Sequence, residues 1–331
     1  SGLDVAAEWL IAASGTTVAS TGAGVSAESG IPTYRDEGGL WELYDQMEVS
    51  HIKGFIRDPL KCWRFELELH QLLRARGPNA AHKALAELEK VGVLKAIITQ
   101  NVDGMHTAAG SKDVVELHGS ETAGICMKAG CRQRYPYEEV FRTLGWLEAD
   151  GATSTSAPAL PTRKRRRRAG GVYAELSDSS SKSSKSSSSS GSSSLVLKSK
   201  SSDDGSSSGK ESAGPPKFAK AVEKMKAKTS CEEALARMAA GPRCLQCQEG
   251  VLKPDAVYFG EGLRKEVLRR ALRLSAASKA LMIIGTSGSV APACKLPRIA
   301  KQHGGAKILE VGPQRTDLSE TADILFLGSA A

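Results

Sequence analysis

Several features that would assign this chain to other classes of protein are missing from its 331 residues. No apolar run approaches the roughly 20 residues that a transmembrane helix requires, so we expect no contact with a membrane. The first residues show no basic region followed by an apolar core, so no signal peptide is expected. The cysteines number seven, and this odd count argues against a disulfide framework and for a reducing, intracellular compartment.

Excess positive charge is also missing from most of the chain, although the formal net charge is +8. Residues 145–230 hold 16 Lys and Arg against 8 Asp and Glu, whereas the remaining residues hold 29 of each sign. Any attraction to nucleic acid or to an acidic partner is therefore expected from this middle segment alone. Because the segment lacks aromatic residues interleaved with the basic ones, we expect only nonspecific phosphate contacts.

Serine and basic residues dominate the segment that we interpret as an insertion, residues 146–239. A basic run at Arg163–Arg168 precedes a serine-rich tract and then a lysine-rich stretch. This composition buries too little apolar surface to offset chain entropy, so we expect disorder over about 150–215, with a weaker helical pattern at Lys217–Ala240. The basic run fits a nuclear localisation signal and favours the nucleus over the cytoplasm; a solvated linker is the alternative.

Apolar strands alternate with helical patterns in the rest of the chain. Helical spacing is found over 4–14 and Ala81–Val91. Strands are expected over Thr17–Ser20, Val93–Thr99, Leu281–Gly285 and Ala306–Val311. This alternation predicts an α/β fold with a doubly wound parallel sheet.

A glycine-rich run, GAGVSAESG, starts at Gly22 directly after the first predicted strand. Gly22 and Gly24 let the backbone approach a pyrophosphate at a helix N-terminus. Ser26, Tyr34 and Arg35 add a hydroxyl group, an aromatic wall and a cation. The run differs from the GxGxxG dinucleotide fingerprint, since alanine stands at its third glycine position. A strand-to-helix turn without a ligand is the alternative.

Two polar runs, TQNVDGMH and ELHGS, follow further along. Gln100, Asn101 and Asp103 come directly after a buried strand, where parallel sheets place functional groups. There they can bind a carboxamide and a ribose, or simply cap the next helix. His118 in ELHGS suits proton transfer near neutral pH, although a loop histidine is also commonly structural. We assign structural roles to the other histidines, His51, His70, His82, His106 and His303.

Four of the cysteines form two close pairs, Cys126-x4-Cys131 and Cys244-x2-Cys247. Four thiolates complete a tetrahedral zinc shell without an open position, so such a zinc ion would be structural. The wide separation of the pairs is explained if the residues between them are an insertion. We expect a small zinc-binding module from 121–145 and 240–251, and a Rossmann-like domain from 1–120 and 252–331.

Taken together, these runs resemble the sirtuin family of NAD-dependent protein deacylases. The matching stretches are GAGVSAESGIPTYRDEGGLW, PNAAHKALAELE, TQNVDGMHTAAG, ELHGS, the four cysteines, KPDAVYFGE and GTSGSVAPA. They cover residues 3–145 and 240–328. The resemblance implies a Rossmann-like large domain and a small zinc module, with NAD and an acylated lysine of a protein, such as a histone, meeting in the cleft.

The resemblance also implies roles for individual residues. His118 would be the general base, with Asn101 and Asp103 beside it in the catalytic set. The residues that it places around NAD are Gly22, Ala23, Gly24, Ser26, Glu28, Tyr34, Arg35, Gln100, Asn101, Val102, Asp103, Gly285, Thr286 and Ser287. Those that would pair with the substrate peptide as an added strand are Val257, Tyr258, Phe259 and Gly260.

The implied reaction transfers the acyl group from lysine to ADP-ribose. The acyl oxygen attacks the ribose C1′ as nicotinamide leaves, His118 takes a proton from the ribose hydroxyls, and water completes release of lysine and O-acyl-ADP-ribose. Water must be excluded from the first step, because NAD would otherwise be hydrolysed. The alternatives are an ADP-ribosyltransferase with the same NAD pocket, and a non-catalytic chromatin or nucleic-acid module that acts through the insertion.

The chain departs from the sirtuin pattern in three places. Members selective for succinyl or malonyl groups carry Tyr and Arg where this chain has Glu66 and Leu69, so we expect acetyl or other neutral acyl substrates. Gly312 stands where the family usually has an asparagine that contacts the adenine ribose, which predicts weaker NAD binding. The chain ends at Ala331, before the last helix of a typical member, and truncation is expected there.

Overall fold

The computed structural model describes residues 2–34, 39–147, 238 and 240–330. The predicted insertion, with its disordered tract, basic run and weak helix, therefore lies outside the described residues except for 146, 147 and 238. Arg35 also lies outside them. Within the part of the chain that is described, no helix is long and apolar enough to cross a membrane.

Six parallel strands form the main sheet, in the order β3-β2-β1-β7-β8-β9. They are β1 (Thr17–Thr21), β2 (Leu94–Thr99), β3 (Val114–Glu116), β7 (Ala280–Ile284), β8 (Lys307–Gly312) and β9 (Ile324–Leu327). β1 lies at the centre and pairs with both β2 and β7. The strand order reverses at β1, so the carboxyl ends of β1, β2 and β7 meet where open α/β sheets bind ligands. The predicted parallel sheet is thereby confirmed.

Helices precede or follow most of these strands. They are α1 (Gly2–Ala12), α2 (Leu40–Leu43), α3 (Gln46–Val49), α4 (Ile52–Arg57), α5 (Pro59–Arg74), α6 (Ala80–Lys90), α7 (Met105–Ala108), α8 (Tyr137–Thr143), α9 (Lys265–Ala277) and α10 (Leu296–Ile299). The two predicted helices and four predicted strands are confirmed with ends shifted by one or two residues. α6, for example, starts at Ala80 because Asn79 and His82 form a capping box.

Both faces of the main sheet are covered, since successive strand residues point to opposite sides. Ala19 and Ile97 pack on one face with residues of α1 and α6. Val18 and Ile98 pack on the other face with residues of α9 and α10. The sheet is therefore doubly wound, as predicted.

A second, antiparallel sheet carries the cysteine pairs. Its order is β5-β4-β6, with β4 (Ala123–Cys126), β5 (Arg134–Pro136) and β6 (Leu252–Pro254). Trp63 of α5 is fully buried against it and meets Tyr137 and Phe141 of α8 edge to face. The Trp63 indole Nε1 donates a hydrogen bond of 2.8 Å to the Leu252 carbonyl. α5 thus joins the small sheet to the rest of the fold.

Candidate active site

A cavity of about 400 Å³ opens at the carboxyl end of the main sheet. The site residues predicted from the sequence that line this cavity are Gly22, Ala23, Gly24, Tyr34, Gln100, Asn101, Val102, His118, Val257, Tyr258, Phe259, Gly260, Gly285, Thr286 and Ser287. Ser26 and Asp103 line a smaller pocket that shares Asn101 and Val102 with the cavity. Glu28 is exposed and lies on neither wall. The structure therefore brings most of the predicted site residues together.

Close packing against the segment after β7 requires glycine at two positions of the GAGVSAESG run. A Cβ atom on Gly24 would lie 2.8 Å from Cα of Gly285, and one on Gly22 would lie 2.7 Å from Cβ of Thr286. Residues Ala23–Ser29 form a 3₁₀ helix, where we predicted the N-terminus of a regular helix.

The amide side chains after β2 hold neighbouring segments of the cavity wall. Gln100 Nε2 donates to Thr286 Oγ1 at 2.9 Å. Asn101 Nδ2 donates to the Gly22 carbonyl and to Ser26 Oγ, both at 3.2 Å. Asn101 is buried, so its position is determined by these contacts.

Asp103 takes the capping role that the sequence left open, and it also contacts the glycine-rich run. Its Oδ2 accepts a hydrogen bond of 2.7 Å from the Ser26 hydroxyl. Its Oδ1 accepts one of 3.0 Å from the backbone N–H of Met105 in the first turn of α7. Asp103 therefore supports a helix start and also orients a side chain of the glycine-rich run.

His118 presents a free ring nitrogen to the cavity. Its Nδ1 lies 2.9 Å from the Gln100 carbonyl. A carbonyl only accepts, so Nδ1 carries the proton and Nε2 is left as a base. Burial lowers the pKa of His118, and the hydrogen bond to Gln100 partly opposes that shift. The imidazole is therefore neutral at neutral pH and able to accept a proton.

His106 differs from His118 in its surroundings. It is buried, and its Nε2 lies 2.9 Å from Thr21 Oγ1. Burial, reinforced by the neighbouring His82, lowers its pKa to about 3. His106 does not line the cavity, which agrees with the structural role that we predicted for it.

The run Val257–Gly260 lines the cavity, and its backbone is already partly paired within the chain. The Val257 N–H donates to the His118 carbonyl at 2.6 Å. The Phe259 N–H donates to the Ser50 carbonyl, and the Phe259 carbonyl accepts from the Ile52 N–H. The backbone of Phe259, where we predicted pairing with a peptide strand, is thus occupied by the chain itself.

The four paired cysteines meet beside β4 and β6. Their sulfur atoms all lie within 4.8 Å of one another. Sγ of Cys126 lies 3.7 Å from Sγ of Cys247, and Cys131 and Cys244 are separated by the same distance. Four thiolates at 2.3 Å from a tetrahedral zinc ion would be about 3.8 Å apart. The donor set therefore fits the predicted structural zinc.

The Sir2 family profile matches residues 22–152 and 216–292. This chain is a member of the Sir2 family. An NAD-dependent protein deacylase of Thermococcus kodakarensis is 32% identical over 97% of this chain and 89% of the relative. An NAD-dependent protein deacylase of Aeropyrum pernix is 34% identical over 95% of this chain and 88% of the relative. The resemblance to sirtuins is thereby confirmed.

Solved Sir2 structures share the fold of this Sir2-family chain. An ADP-ribose complex of a Sir2 homologue mutant has a TM-score of 0.62 at 30% identity, covering 97% of this chain and 89% of that one. A complex of Sir2 with a deacetylated p53 peptide and 3′-O-acetyl ADP-ribose has a TM-score of 0.63 at 25% identity, with coverages of 99% and 94%.

Sequence reasoning missed part of the cavity wall of this Sir2 protein. Trp41, Phe65 and Glu121 line it, and Glu66, which we noted only for its place in the family pattern, does so as well. Trp41 ends the matching stretch GAGVSAESGIPTYRDEGGLW but was given no role. No local motif marks the other three, because helix docking alone brings α5 against the segment after His118. Gly312, predicted to lack a ribose contact, also lines the cavity.

Proposed function

We propose that this Sir2-family protein is an NAD-dependent protein-lysine deacylase, in which lysine loses a neutral acyl group to ADP-ribose. The observation that carries the proposal is His118, whose unprotonated Nε2 shares one cavity with the glycine-rich run and with Val257–Gly260. Relatives named NAD-dependent protein deacylase support the same chemistry.

The residues around the cavity fit the cofactor. The backbone at Gly22–Gly24 and the hydroxyl groups of Thr286 and Ser287 offer donors to phosphate and ribose at one end. Asn101 uses its Nδ2 within the chain, so its Oδ1 would accept from the nicotinamide carboxamide. When bound, NAD supplies the electrophilic ribose carbon and the hydroxyl groups that receive the acyl group.

His118 would remove the proton from a ribose hydroxyl as that oxygen attacks the acyl carbon. Its Nδ1–H bond to Gln100 keeps Nε2 turned toward the reacting oxygen. Asp103 would act through Ser26, which it holds at 2.7 Å, and so would keep Asn101 in position. Arg35, which lies beyond the described part of the chain, keeps its proposed role in cofactor binding on the sequence motif alone.

The preference for neutral acyl groups is supported by the charges on the cavity wall. Among the described residues that line it there is no Lys or Arg, whereas three glutamates, Glu66, Glu121 and Glu261, are present. A carboxylate at the end of an acyl chain would therefore meet negative charge without a cation. Leu69, where an acid-selective sirtuin carries arginine, is apolar and buried.

A panel of acyl-lysine peptides with NAD tests this proposal. Nicotinamide release and peptide mass are followed together, for acetyl, butyryl and succinyl peptides and for an unmodified control. Loss of the acyl mass with O-acyl-ADP-ribose formation is the expected result. Gain of ADP-ribose on the peptide would establish a transferase instead, and a higher rate on succinyl-lysine than on acetyl-lysine would refute the acyl preference.

We also propose the finer assignments that the sequence suggested. They are a nuclear location directed by Arg163–Arg168, a histone as protein substrate, and a zinc module formed by 121–145 and 240–251 within a Rossmann-like domain. Support for the nuclear location is the basic charge of residues 145–230, and the histone assignment depends on that location. A fluorescent fusion in which Arg163–Arg168 is replaced by alanines should be lost from the nucleus. Unchanged nuclear fluorescence would refute the proposed nuclear localisation signal.

A further inference from the structure

Residues 264–307 carry a charge imbalance that the count for the whole chain conceals. This stretch holds ten Lys and Arg and a single acidic residue, Glu266. The residues outside both this stretch and 145–230 hold 19 Lys and Arg against 28 Asp and Glu. The neutral balance outside 145–230 is therefore an average over a basic and an acidic portion. A surface that attracts anions can thus lie outside the middle segment, where we had expected none.

The fold places much of this stretch in one outer layer. α9 packs against α10 and against the π-helical turn that follows it, Ala300–Gly304. Ala271 of α9 and Leu296 of α10 share a core cluster with Val18 and Ile98 of the main sheet. The two helices therefore lie side by side on the same face of the sheet, and their opposite sides point to solvent.

The solvent side of each helix carries a row of cations. Lys265, Arg269 and Arg273 follow one another at intervals of four residues on α9, so they lie on one side of it and span about 12 Å. Lys295 and Arg298 lie three residues apart where the neighbouring helix begins. All five side chains are exposed. We call these five residues the basic face.

Carboxylates of the chain neutralise little of this charge. Four of the five cations have no carboxylate within 4 Å among the described residues. Arg269 lies 3.9 Å from Glu266, and an exposed pair of this kind contributes little. Asp113, which borders α9, already pairs with Arg270. The basic face thus keeps its positive charge available to a ligand.

The kind of ligand follows from what the face lacks. No large apolar side chain is exposed over 264–307, all of which the structure describes. The face therefore has neither the apolar centre of a stable protein interface nor an anchor for a membrane. The stretch also contains no Phe, Tyr or Trp on which an unpaired base could stack. Rows of Lys and Arg suit the regularly spaced phosphates of a duplex.

We propose that the basic face binds the phosphate backbone of double-stranded nucleic acid without reading its sequence. The face adjoins the cavity, because Leu263 before α9 and Ala291 before α10 both line it. None of the five cations is itself among the described residues that line the cavity. Binding of nucleic acid is therefore separable from deacylation, and the inference does not depend on the proposed function.

Two triple variants of the full chain test the inference. The face variant carries Lys265→Gln, Arg273→Gln and Lys295→Gln. The control variant removes two lysines and one arginine from exposed positions on α4, α6 and α8, as Lys53→Gln, Lys83→Gln and Arg142→Gln. Both variants retain residues 145–230, so any contacts made by that segment cancel in the comparison. Because all six positions are exposed, we expect the Tm of each variant to match that of the parent chain.

The readout is the affinity for a labelled random-sequence DNA duplex, measured by fluorescence anisotropy at several salt concentrations without NAD. Each lost phosphate contact lowers the salt slope by about 0.9, so between 50 and 200 mM salt the face variant should lose about 40-fold less affinity than the parent chain. The control variant should keep the parent slope. Equal slopes in the face variant and the parent, or equal reductions in both variants, would overturn the inference.

Other polyanions separate a duplex from the remaining partners. Poly-glutamate stands for an acidic protein, and vesicles of phosphatidylcholine with phosphatidylserine stand for a membrane. If the face variant loses binding to either probe while its duplex binding equals that of the parent, the inference is wrong. Turnover of an acetyl-lysine peptide should be the same in all three proteins. Its absence from all three would reject the proposed function and leave the result with DNA standing.

Discussion

The two ends of the cavity are built in opposite ways. At the glycine end, Gly22 and Gly24 pack against Gly285 and Thr286 with no room for a side chain. At the acid end, Glu66 and Glu121 are buried side chains, and the hydroxyl groups of Tyr258 and Tyr137 donate to Glu66. The first end is specified by steric fit between neighbouring strands. The second is specified by charged and hydrogen-bonding side chains from segments that are far apart in the sequence.

Lys253 shows how the acid end is held together. Its Nζ is buried, donates to the carbonyls of Pro254 and Ala256 at 2.8 and 2.6 Å, and pairs with Glu261 at 3.0 Å. It also lies over the Tyr258 ring, whose hydroxyl group binds Glu66. Removing one buried partner of such a network is strongly destabilising, because the other charge is left unpaired. The acid end therefore depends on the small sheet that carries Lys253.

The largest effect is expected for His118, which lines the cavity. His118→Ala should lower kcat/KM by about 10²- to 10⁴-fold, since no other described residue on the wall offers an unprotonated imidazole. NAD affinity, measured by calorimetry, should change little. The exposed His303 provides the control, as His303→Ala should retain full activity. Equal losses in kcat/KM and NAD affinity would make His118 a cofactor ligand rather than a base.

Removing the metal should disrupt the acid end and spare the glycine end. Cys244→Ser should abolish stoichiometric zinc and lower Tm by about 10 °C or more, because a structural zinc contributes directly to folding. Metal analysis and calorimetry measure both. Cys294→Ser, outside the four-sulfur cluster, is the matched control. Full zinc content in Cys244→Ser would show that the four sulfurs are not the ligand set.

Crowding the glycine end should weaken the cofactor site without altering acyl preference. Gly24→Ala forces a Cβ atom to within 2.8 Å of Cα of Gly285. Such overpacking costs about 1–3 kcal/mol, so we expect a lower Tm and a higher KM for NAD. Gly77→Ala, where a Cβ would meet no atom within 4 Å, is the control. If Gly24→Ala and Gly77→Ala have the same Tm, the close contact with Gly285 is not the reason that position 24 requires glycine.

The pH dependence should report His118 itself. Burial lowers the pKa of His118 from the ordinary value of 6.5, and only the neutral ring can accept a proton. Activity should therefore persist below pH 6.5 and then fall about tenfold per pH unit once His118 becomes protonated. A kcat/KM profile from pH 5 to 8 measures this. A midpoint of the kcat/KM profile above pH 6.5 would show that another group, or a negative charge near His118, controls the loss of activity at low pH.

The smallest effect is expected for the insertion. Deletion of residues 150–230 should leave deacylation within a factor of about two, because the four cysteines and the cavity lie outside it. The same peptide assay measures the rate, and zinc content checks the small sheet. Loss of activity with zinc retained would show that the insertion takes part in the reaction.

Predictions from the sequence succeeded where the physical requirement was local. Thr17–Thr21, Leu94–Thr99 and Ala280–Ile284 are short apolar segments whose burial on both faces can be read from their own residues. They were less specific where a residue's surroundings come from elsewhere, and the roles proposed for Glu28 and Phe259 stay predictions. Glu28 belongs to the glycine-rich run but is exposed, and Phe259 belongs to a matching motif but pairs with Ser50 and Ile52.

The sequence by itself determined the family, the parallel sheet, the four cysteines and the candidate base. Each of these depends on residue types at short spacing, or on motifs that remain recognisable without knowledge of contacts. Only the tertiary structure decided that Glu66 and Glu121 share a cavity wall and that Lys253 and Tyr258 hold it. Charge and burial are properties of assembled neighbours, and α5, the loop after His118 and β6 become neighbours only when the chain folds.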